Sequence, residues 1–182
     1  MNLHQLIEKY TNINDKERKI GRYYASELYG IIAGYKKPED FFKKEKIPSQ
    51  NARMIQEGNA IEDRLSTIFK EMKVPCEDQI KKEIKIDDMV IVVKTDYVFK
   101  KFIAELKRPR ELSLSIPDKW KYQLEATYRA FKKPVKLWQV YYPMSFLELD
   151  YKPSDKIWFQ IKQTLQQYHK EVVKVAKTLK TP

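Results

Sequence analysis

The sequence predicts an α/β fold: an α-β-β-β-α-β core built on a central mixed sheet flanked by helices, with extra N-terminal helices and a long C-terminal helix. Three observations predict it. Between Met89 and Lys107 apolar residues run in the manner of strands: Val90, Val92 and Val93 lead towards Asp96, and Phe102, Ile103, Ala104 and Leu106 surround Glu105. On either side of that stretch, residues 49–72 and 117–131 carry apolar residues at helical spacing. A third helical stripe, Ile157, Ile161, Leu165, Tyr168, Val172, Val175 and Leu179, follows near the end. The 182 residues are expected to form one domain, with a helical cap over 1–48, a core over 49–142, and a strand and helix over 143–182.

Leu3, Leu6, Ile7 and Tyr10 have helical spacing and predict a short first helix ending near Thr11-Asn12. A second starts at Ala25 or Ser26 and runs through Leu28, Ile31 and Ile32 towards Gly34. Pro38-Glu39-Asp40 opens a short helical piece holding Phe41 and Phe42; Lys43 to Lys46 is a basic exposed run, and Pro48-Ser49 marks a turn. Ser49 to Met72 is a strong helix whose Ile61, Leu65, Ile68 and Met72 form one apolar face. Val74-Pro75 breaks it. Gln79 to Lys85 is expected as an edge strand, and Asp87-Asp88 as the turn into the strand Met89–Phe99, whose hairpin partner is Phe102–Lys107. Pro117, with its fixed φ, suits the first position of the next helix, where Trp120, Leu124, Thr127 and Phe131 form a core-packing stripe. Lys136–Tyr142, ended by Pro143, and Ser145–Tyr151 read as strands. Ser154 caps the last helix, with Asp155 in its first turn, and its lysines read as a solvated face.

Composition narrows the function. Hydrophobic residues make up 42%, charged residues 34% and aromatics 13%, which argues for a folded soluble chain. With 36 Lys+Arg against 25 Asp+Glu the net charge is +11, which favours an anionic partner, nucleic acid first. Cys76 is the only cysteine, which excludes an intrachain disulfide and a four-cysteine cluster within one chain; His4 and His169 are too few for a histidine-rich metal site. No signal-peptide core and no apolar run long enough for a bilayer stand out, so an intracellular, cytoplasmic protein with no membrane partner is expected, in the host cytoplasm if viral.

The chemistry gathers on the hairpin. Successive strand residues alternate faces, so Glu105 and Lys107 point one way and Leu106 the other. Asp96, Glu105 and Lys107 at the end of a buried hairpin are costly unless they bind something, and a divalent metal is the obvious candidate. Phosphodiester hydrolysis needs negative charge neutralised, a water activated and the scissile group held in line. Carboxylates suit Mg²⁺ or Mn²⁺, and a lysine two residues after the glutamate can orient the water and offset developing charge. Around this set several residues carry two readings. Glu62, beside the apolar face of its helix, is either a solvated boundary residue or a further metal carboxylate, and Gly58 one turn earlier would admit another backbone or a substrate strand. Arg108-Pro109-Arg110 is either a phosphate-contacting turn or a solvated charge pair. Gln123, on the buried side of its helix, orders the lysine or a water, or satisfies a backbone carbonyl. Tyr122 and Tyr128 either stack on bases or support packing.

Asp96, eight intervening residues, then Glu105-x-Lys107 resembles the signature of the PD-(D/E)XK nuclease superfamily. In order the elements are a helix with Glu62, a strand, a strand with Asp96, a strand with Glu105 and Lys107, a helix with Gln123, and a strand. That arrangement resembles the restriction-endonuclease-like core over roughly residues 55–142. Within it the chain is similar to the RecB-like branch: RecB-type nuclease domains, CRISPR-associated RecB-like exonucleases, and related phage and archaeal-virus nucleases. That branch often has Gly-x-x-x-His on the first helix, and Gly58-Asn59-Ala60-Ile61-Glu62 here puts Glu at the His position, which keeps an oxygen ligand and moves preference towards Mg²⁺. The resemblance implies that Asp96, Glu105 and the Leu106 carbonyl are metal ligands, with Lys107 the catalytic lysine and Gln123 the glutamine of the next helix. The tyrosine often found four residues after that glutamine is Thr127 here, with Tyr128 one later. Iron–sulfur members need four cysteines, so no cluster is expected; the segment Tyr23-Tyr24-Ala25-Ser26 is expected to cover the site as theirs does.

The first functional expectation is therefore a metal-dependent deoxyribonuclease, a RecB-like exonuclease acting on single-stranded or duplex ends and possible as a homo-oligomer. The alternatives are a structure-selective or single-strand endonuclease, and a non-catalytic nucleic-acid-binding protein on the same fold.

Overall fold

One long strand organises the sheet. β3 (Met89–Phe99) pairs along its length with antiparallel β2 (Cys76–Ile86) on one side. Its other side is shared: β1 (Arg22–Tyr24) runs parallel to Val90–Val92, and β4 (Ile103–Lys107) runs antiparallel at Tyr97 and Val98. β5 (Val135–Tyr141) continues parallel to β4, and β6 (Ser145–Tyr151) antiparallel to β5, giving a mixed six-stranded sheet. The helices are α1 (Leu28–Ile32), α2 (Ser49–Glu71), α3 (Asp118–Phe131) and α4 (Asp155–Lys180). This computed structural model describes residues 18–43, 49–141 and 145–180. The expected helix through Leu3 to Tyr10, the basic run after Lys43 with its Pro48 turn, and the strand end at Tyr142-Pro143 lie outside the described residues.

The predicted core order holds, and so does the mixed sheet flanked by helices. α2 covers one face, where Ile61, Leu65 and Phe69 pack on Tyr97, Ala104, Leu106 and Trp138. α3 and α4 cover the other, where Ile91, Val93, Ile103, Ala126, Ile161 and Leu165 share a core with Tyr23 and Leu28. The helix ends follow local rules. α2 stops at Lys73, whose φ of 54° is left-handed, and α3 at Lys132, φ 56°. Pro117 is the N-cap of α3, one position before the expected first turn. Ser154 Oγ accepts the Ile157 N–H at 3.4 Å at the start of α4.

Three expectations change. The apolar face of α2 closes with Phe69, because that residue meets Tyr97 and Trp138 (ring centroids 5.3 and 6.2 Å), while Met72 is 72% exposed. Leu179, at the end of the α4 stripe, is also exposed, since the helix runs on past the core it covers. The Tyr23–Ser26 segment, expected as a cover, adds to the sheet at Arg22–Tyr24 and buries Tyr23 and Ala25 in the core. Among the described residues no helix is long and apolar enough to cross a membrane.

One buried carboxylate is structural. Glu125 of α3 is fully buried and accepts from Tyr151 Oη (2.6 Å), Ser154 N (2.9 Å) and Arg129 Nε (2.7 Å), and Arg129 also reaches Asp155. It ties α3 to β6 and to the start of α4. Glu125→Ala strands the Tyr151 hydroxyl and the Ser154 N–H, and is expected to lower stability by about 3 kcal/mol in urea denaturation. A loss within about 0.5 kcal/mol, the range of neutral surface changes, would show that the network holds nothing together.

Candidate active site

The two strands that carry the expected carboxylates part at Asp96. β3 and β4 share ladder pairs only at Tyr97–Ala104 and Val98–Ile103. Beyond them the Asp96 carboxylate accepts the Leu106 N–H through Oδ2 at 2.7 Å, the place a strand carbonyl would otherwise take. On the opposite side of β3, Gln79 stands across from Asp96, drops out of the β2–β3 pairing and holds φ at 55°. Side-chain alternation breaks here too. Val93 lies in the core under α3 and α4, whereas Tyr97, an even number of residues on, packs under α2. Local disruptions of this kind re-aim side chains beside functional sites.

The bend positions Glu62. Gln79 Nε2 donates to Glu62 Oε2 at 3.0 Å, and Tyr97 Oη donates to the Glu62 backbone carbonyl at 2.8 Å. Burial pushes the Tyr97 phenol up to about 12, so it remains a donor. The fork positions Glu105, which is completely buried. Gln123 Nε2 donates to its Oε2 at 3.0 Å and Thr127 Oγ1 to its Oε1 at 3.1 Å, while Lys107 Nζ stands 3.8 Å from Oε2. Leu106 turns its side chain into the α2 face, as alternation predicts.

These carboxylates are short of positive charge. Burial pushes Glu105 up to about 8, the Asp96 charge adds to the rise, and Lys107, Thr127 and Thr95 oppose it. Glu62 is pushed by burial and then by Asp96 up to about 7, against Lys107, Lys94 and Gln79. Asp96 is also raised by burial, against the pull of Lys107, the Leu106 N–H and Lys94. Glu125 makes the contrast: equally buried, it has an arginine in direct contact. Thr95 Oγ1, close to Glu105, is buried with no hydrogen-bond partner of ordinary length among the described residues. Buried polar atoms are rarely left so.

Hard oxygen donors with excess negative charge fit Mg²⁺ or Mn²⁺. Among the described residues no three His, Cys, Asp or Glu side chains converge tightly enough to form a closed cation cage. A Mg²⁺ site does not need one, because that ion keeps several waters and takes one or two carboxylates plus substrate oxygen. The donor set therefore fits the group.

Gln123 and Lys107 stand against Glu105, and the Asp96 charge acts on both Glu105 and Glu62. Gln123 donates to Glu105 itself, a partner the sequence reading did not name. Arg108 pairs with Glu57 of α2 at 2.7 Å, and exposed Arg110 shares a cleft of about 560 Å³ with Lys107, Lys119 and Trp120. Tyr128 packs in a separate cluster with Leu124, Val135 and Tyr151, apart from the carboxylates. Gly58 has nothing within 4 Å of a built Cβ, so no described backbone approaches it. Four residues were missed as site members: Thr127, Gln79, Lys94 and Gln139. Thr127 lies one turn after Gln123 on the same helix face, a spacing that was available in the sequence. The others depend on register. Gln139, across from Lys107 in the ladder, holds the loop after β4 through Ser113 N (3.0 Å) and Ser113 O (2.8 Å).

No family model matches the sequence, and no curated protein matches it. Solved structures do. The alkaline exonuclease LHK-Exo from Laribacter hongkongensis matches with TM-score 0.63 at 10% identity, over 88% of this chain and 94% of its own. The same protein in complex with dAMP matches at 0.59, also at 10% identity, over the same 88% and 94%. A phage-related exonuclease from Haemophilus somnus 129PT matches at 0.58 and 10% identity, over 93% of this chain and 99% of its own. At these identities the likeness is one of fold.

Raised carboxylates set a sign for pH dependence. Both Glu62 and Glu105 bind protons more tightly in the native state, so their contribution to stability is fully present below the ordinary 4.5 and is lost as pH rises through about 7 and 8. Thermal unfolding in EDTA is expected to show Tm falling between about pH 5.5 and pH 9, with Glu105→Gln flattening the fall. Mg²⁺ or Mn²⁺ should raise Tm most at the alkaline end, where the ligands are already deprotonated. A slope in Glu105→Gln equal to that of the wild type would reject this account of the site.

Proposed function

We propose that this protein is a Mg²⁺- or Mn²⁺-dependent deoxyribonuclease of the PD-(D/E)XK type, acting first as an exonuclease on DNA ends. One observation carries the reading: Glu105, wholly buried, has its nearest ion-pair contact, Lys107, at 3.8 Å, and the Asp96 charge acts on it as well. The RecB-like assignment rests on the order Glu62, Asp96, Glu105-x-Lys107, Gln123. The dAMP complex of an exonuclease with the same fold supports a nucleotide-bearing substrate.

Asp96, Glu105 and the Leu106 carbonyl would hold the ion, with Glu62 a further carboxylate near Asp96, and the ion would supply charge neutralisation and Lewis acidity at the scissile phosphate. Lys107, on the Glu105 side of β4 and partly open to solvent, orients the attacking water and offsets charge on the phosphoryl oxygens. Gln123 and Thr127 each hold one Glu105 oxygen, which keeps that carboxylate in a single orientation. Lys94, exposed and close enough to stabilise the charged forms of Glu62 and Asp96, adds positive charge near the fork. Arg108 and Arg110 guide the backbone phosphates, and the Gln139–Ser113 clamp keeps their loop in place.

Cleavage of circular and end-labelled linear DNA, single- and double-stranded, with Mg²⁺, Mn²⁺ or EDTA, tests this. Metal-dependent loss of linear substrate alone is the expected result. Lys107→Ala and Glu105→Ala are each expected to cut the rate by about 10²–10⁴-fold with the circular-dichroism spectrum unchanged. Cutting of the circle would assign an endonuclease instead. Metal-independent binding with no cleavage by folded wild type would leave the non-catalytic reading, and undiminished cleavage by Lys107→Ala would overturn the residue assignment.

A further inference from the structure

A concavity larger than the cleft at Lys107 meets that cleft at Arg108. It is a groove of about 710 Å³ between α2 and the β5–β6 edge. Its floor is apolar, with Ile61, Leu65 and Ile68 of α2 facing Val140, Tyr141 and Phe146. Tyr141 and Phe146 are 40% and 54% exposed, and Phe146 stands edge-on to Trp138 with ring centroids 5.8 Å apart. Its rim is cationic. Arg53, Arg64 and Arg108 line it, and exposed Arg64 has no ion-pair partner among the described residues. Arg53 and Arg108 converge on Glu57, at 3.0 and 2.7 Å.

Position narrows the occupant. Arg108 follows Lys107 directly in the chain and lines both this groove and the smaller cleft that contains Lys107, Arg110 and Trp120. Ile61, on the groove floor, precedes Glu62. A chain passing the fork therefore meets Arg108 and then an apolar shelf with two open aromatic rings.

We infer that this groove seats an unpaired nucleic-acid strand adjoining the scissile bond, with its bases on Tyr141, Phe146 and the α2 floor and its phosphates on Arg53, Arg64 and Arg108. The inference rests on the nuclease reading above and adds a substrate class to it. An unpaired strand offers base faces to an apolar wall, whereas a duplex hides them in its own stack. Three arginines against the single carboxylate of Glu57 favour a polyanion over an apolar helix, which would cover the surplus charge without pairing it. Glu57 is the opposing charge. It holds Arg53 and Arg108 at the groove mouth, and an incoming phosphate replaces it on one of them.

Fluorescence anisotropy in EDTA, with labelled polythymidine and a blunt duplex of equal length, tests the groove without cleavage. The wild type is expected to prefer the single strand. Tyr141→Ala/Phe146→Ala should weaken single-strand binding by about tenfold or more and duplex binding less than about twofold. Arg64→Ala, at an exposed position that the fold does not need, should lower the salt slope of single-strand binding by about 1. Unchanged single-strand affinity in both groove variants would overturn the proposal, as would equal losses for the two substrates. A concentration-dependent dimer that Phe146→Ala dissolves, with DNA binding intact, would give the groove to a second copy and also overturn it. Because the readout needs neither metal nor hydrolysis, a failed nuclease reading shows as absent cleavage, and a failed groove shows as unchanged anisotropy.

Discussion

The hydrogen bond from the Leu106 N–H to the Asp96 carboxylate governs the site. A side chain takes the acceptor place that backbone pairing would fill, so β4 leaves β3 after two ladder pairs. The gap between the strands is where Glu105 and Lys107 sit. Buried N–H groups must be satisfied, and the Asp96 carboxylate does this at the fork. The same point of β3 turns Tyr97 under α2, where it holds the Glu62 carbonyl. One local break thus bears on the placement of Asp96, Glu105, Lys107 and Glu62.

Two buried glutamates on the same side of the sheet show how burial alone fails to identify function. Glu125 is matched by an arginine, a phenol and a backbone N–H, and it fastens α3 to the start of α4. Glu105 receives an amide and a hydroxyl, with its lysine at a longer distance. Burial without full compensation raises the free energy of the charged form, and a divalent ion is the group that would remove that penalty. The fold accepts local instability at the fork, and α3 supplies both the partners of Glu105 and the structural anchor at Glu125.

Polar residues around the site divide into those that hold the chemistry and those that hold the strand. Gln123, Thr127 and Gln79 fix carboxylates. Gln139 fixes the loop that bears Arg110. The arginines of α2 and the aromatic rings of β5 and β6 line a common groove.

The sequence by itself determined the order of the core elements and marked the candidate carboxylates of the hairpin. Period-two apolar patterning marked β3 and β4, period-3.6 stripes marked α2, α3 and α4, and the alternation of Glu105, Leu106 and Lys107 set their faces, because those signals are local. Chemistry was legible where a charged residue stood inside an apolar run, as Asp96 and Glu105 do. Glu125 sat in a mixed helical stretch that hid its burial. β1 escaped because three residues carry no period, and only contact with Val90–Val92 makes them a strand. Gln79 and Gln139 escaped because their roles follow from register across the sheet, opposite Asp96 and Lys107. The break in alternation between Val93 and Tyr97, and the basic groove beside α2, were likewise decided only by the tertiary structure. Both arise where segments far apart in the chain compete for the same space and hydrogen bonds, which no local pattern encodes.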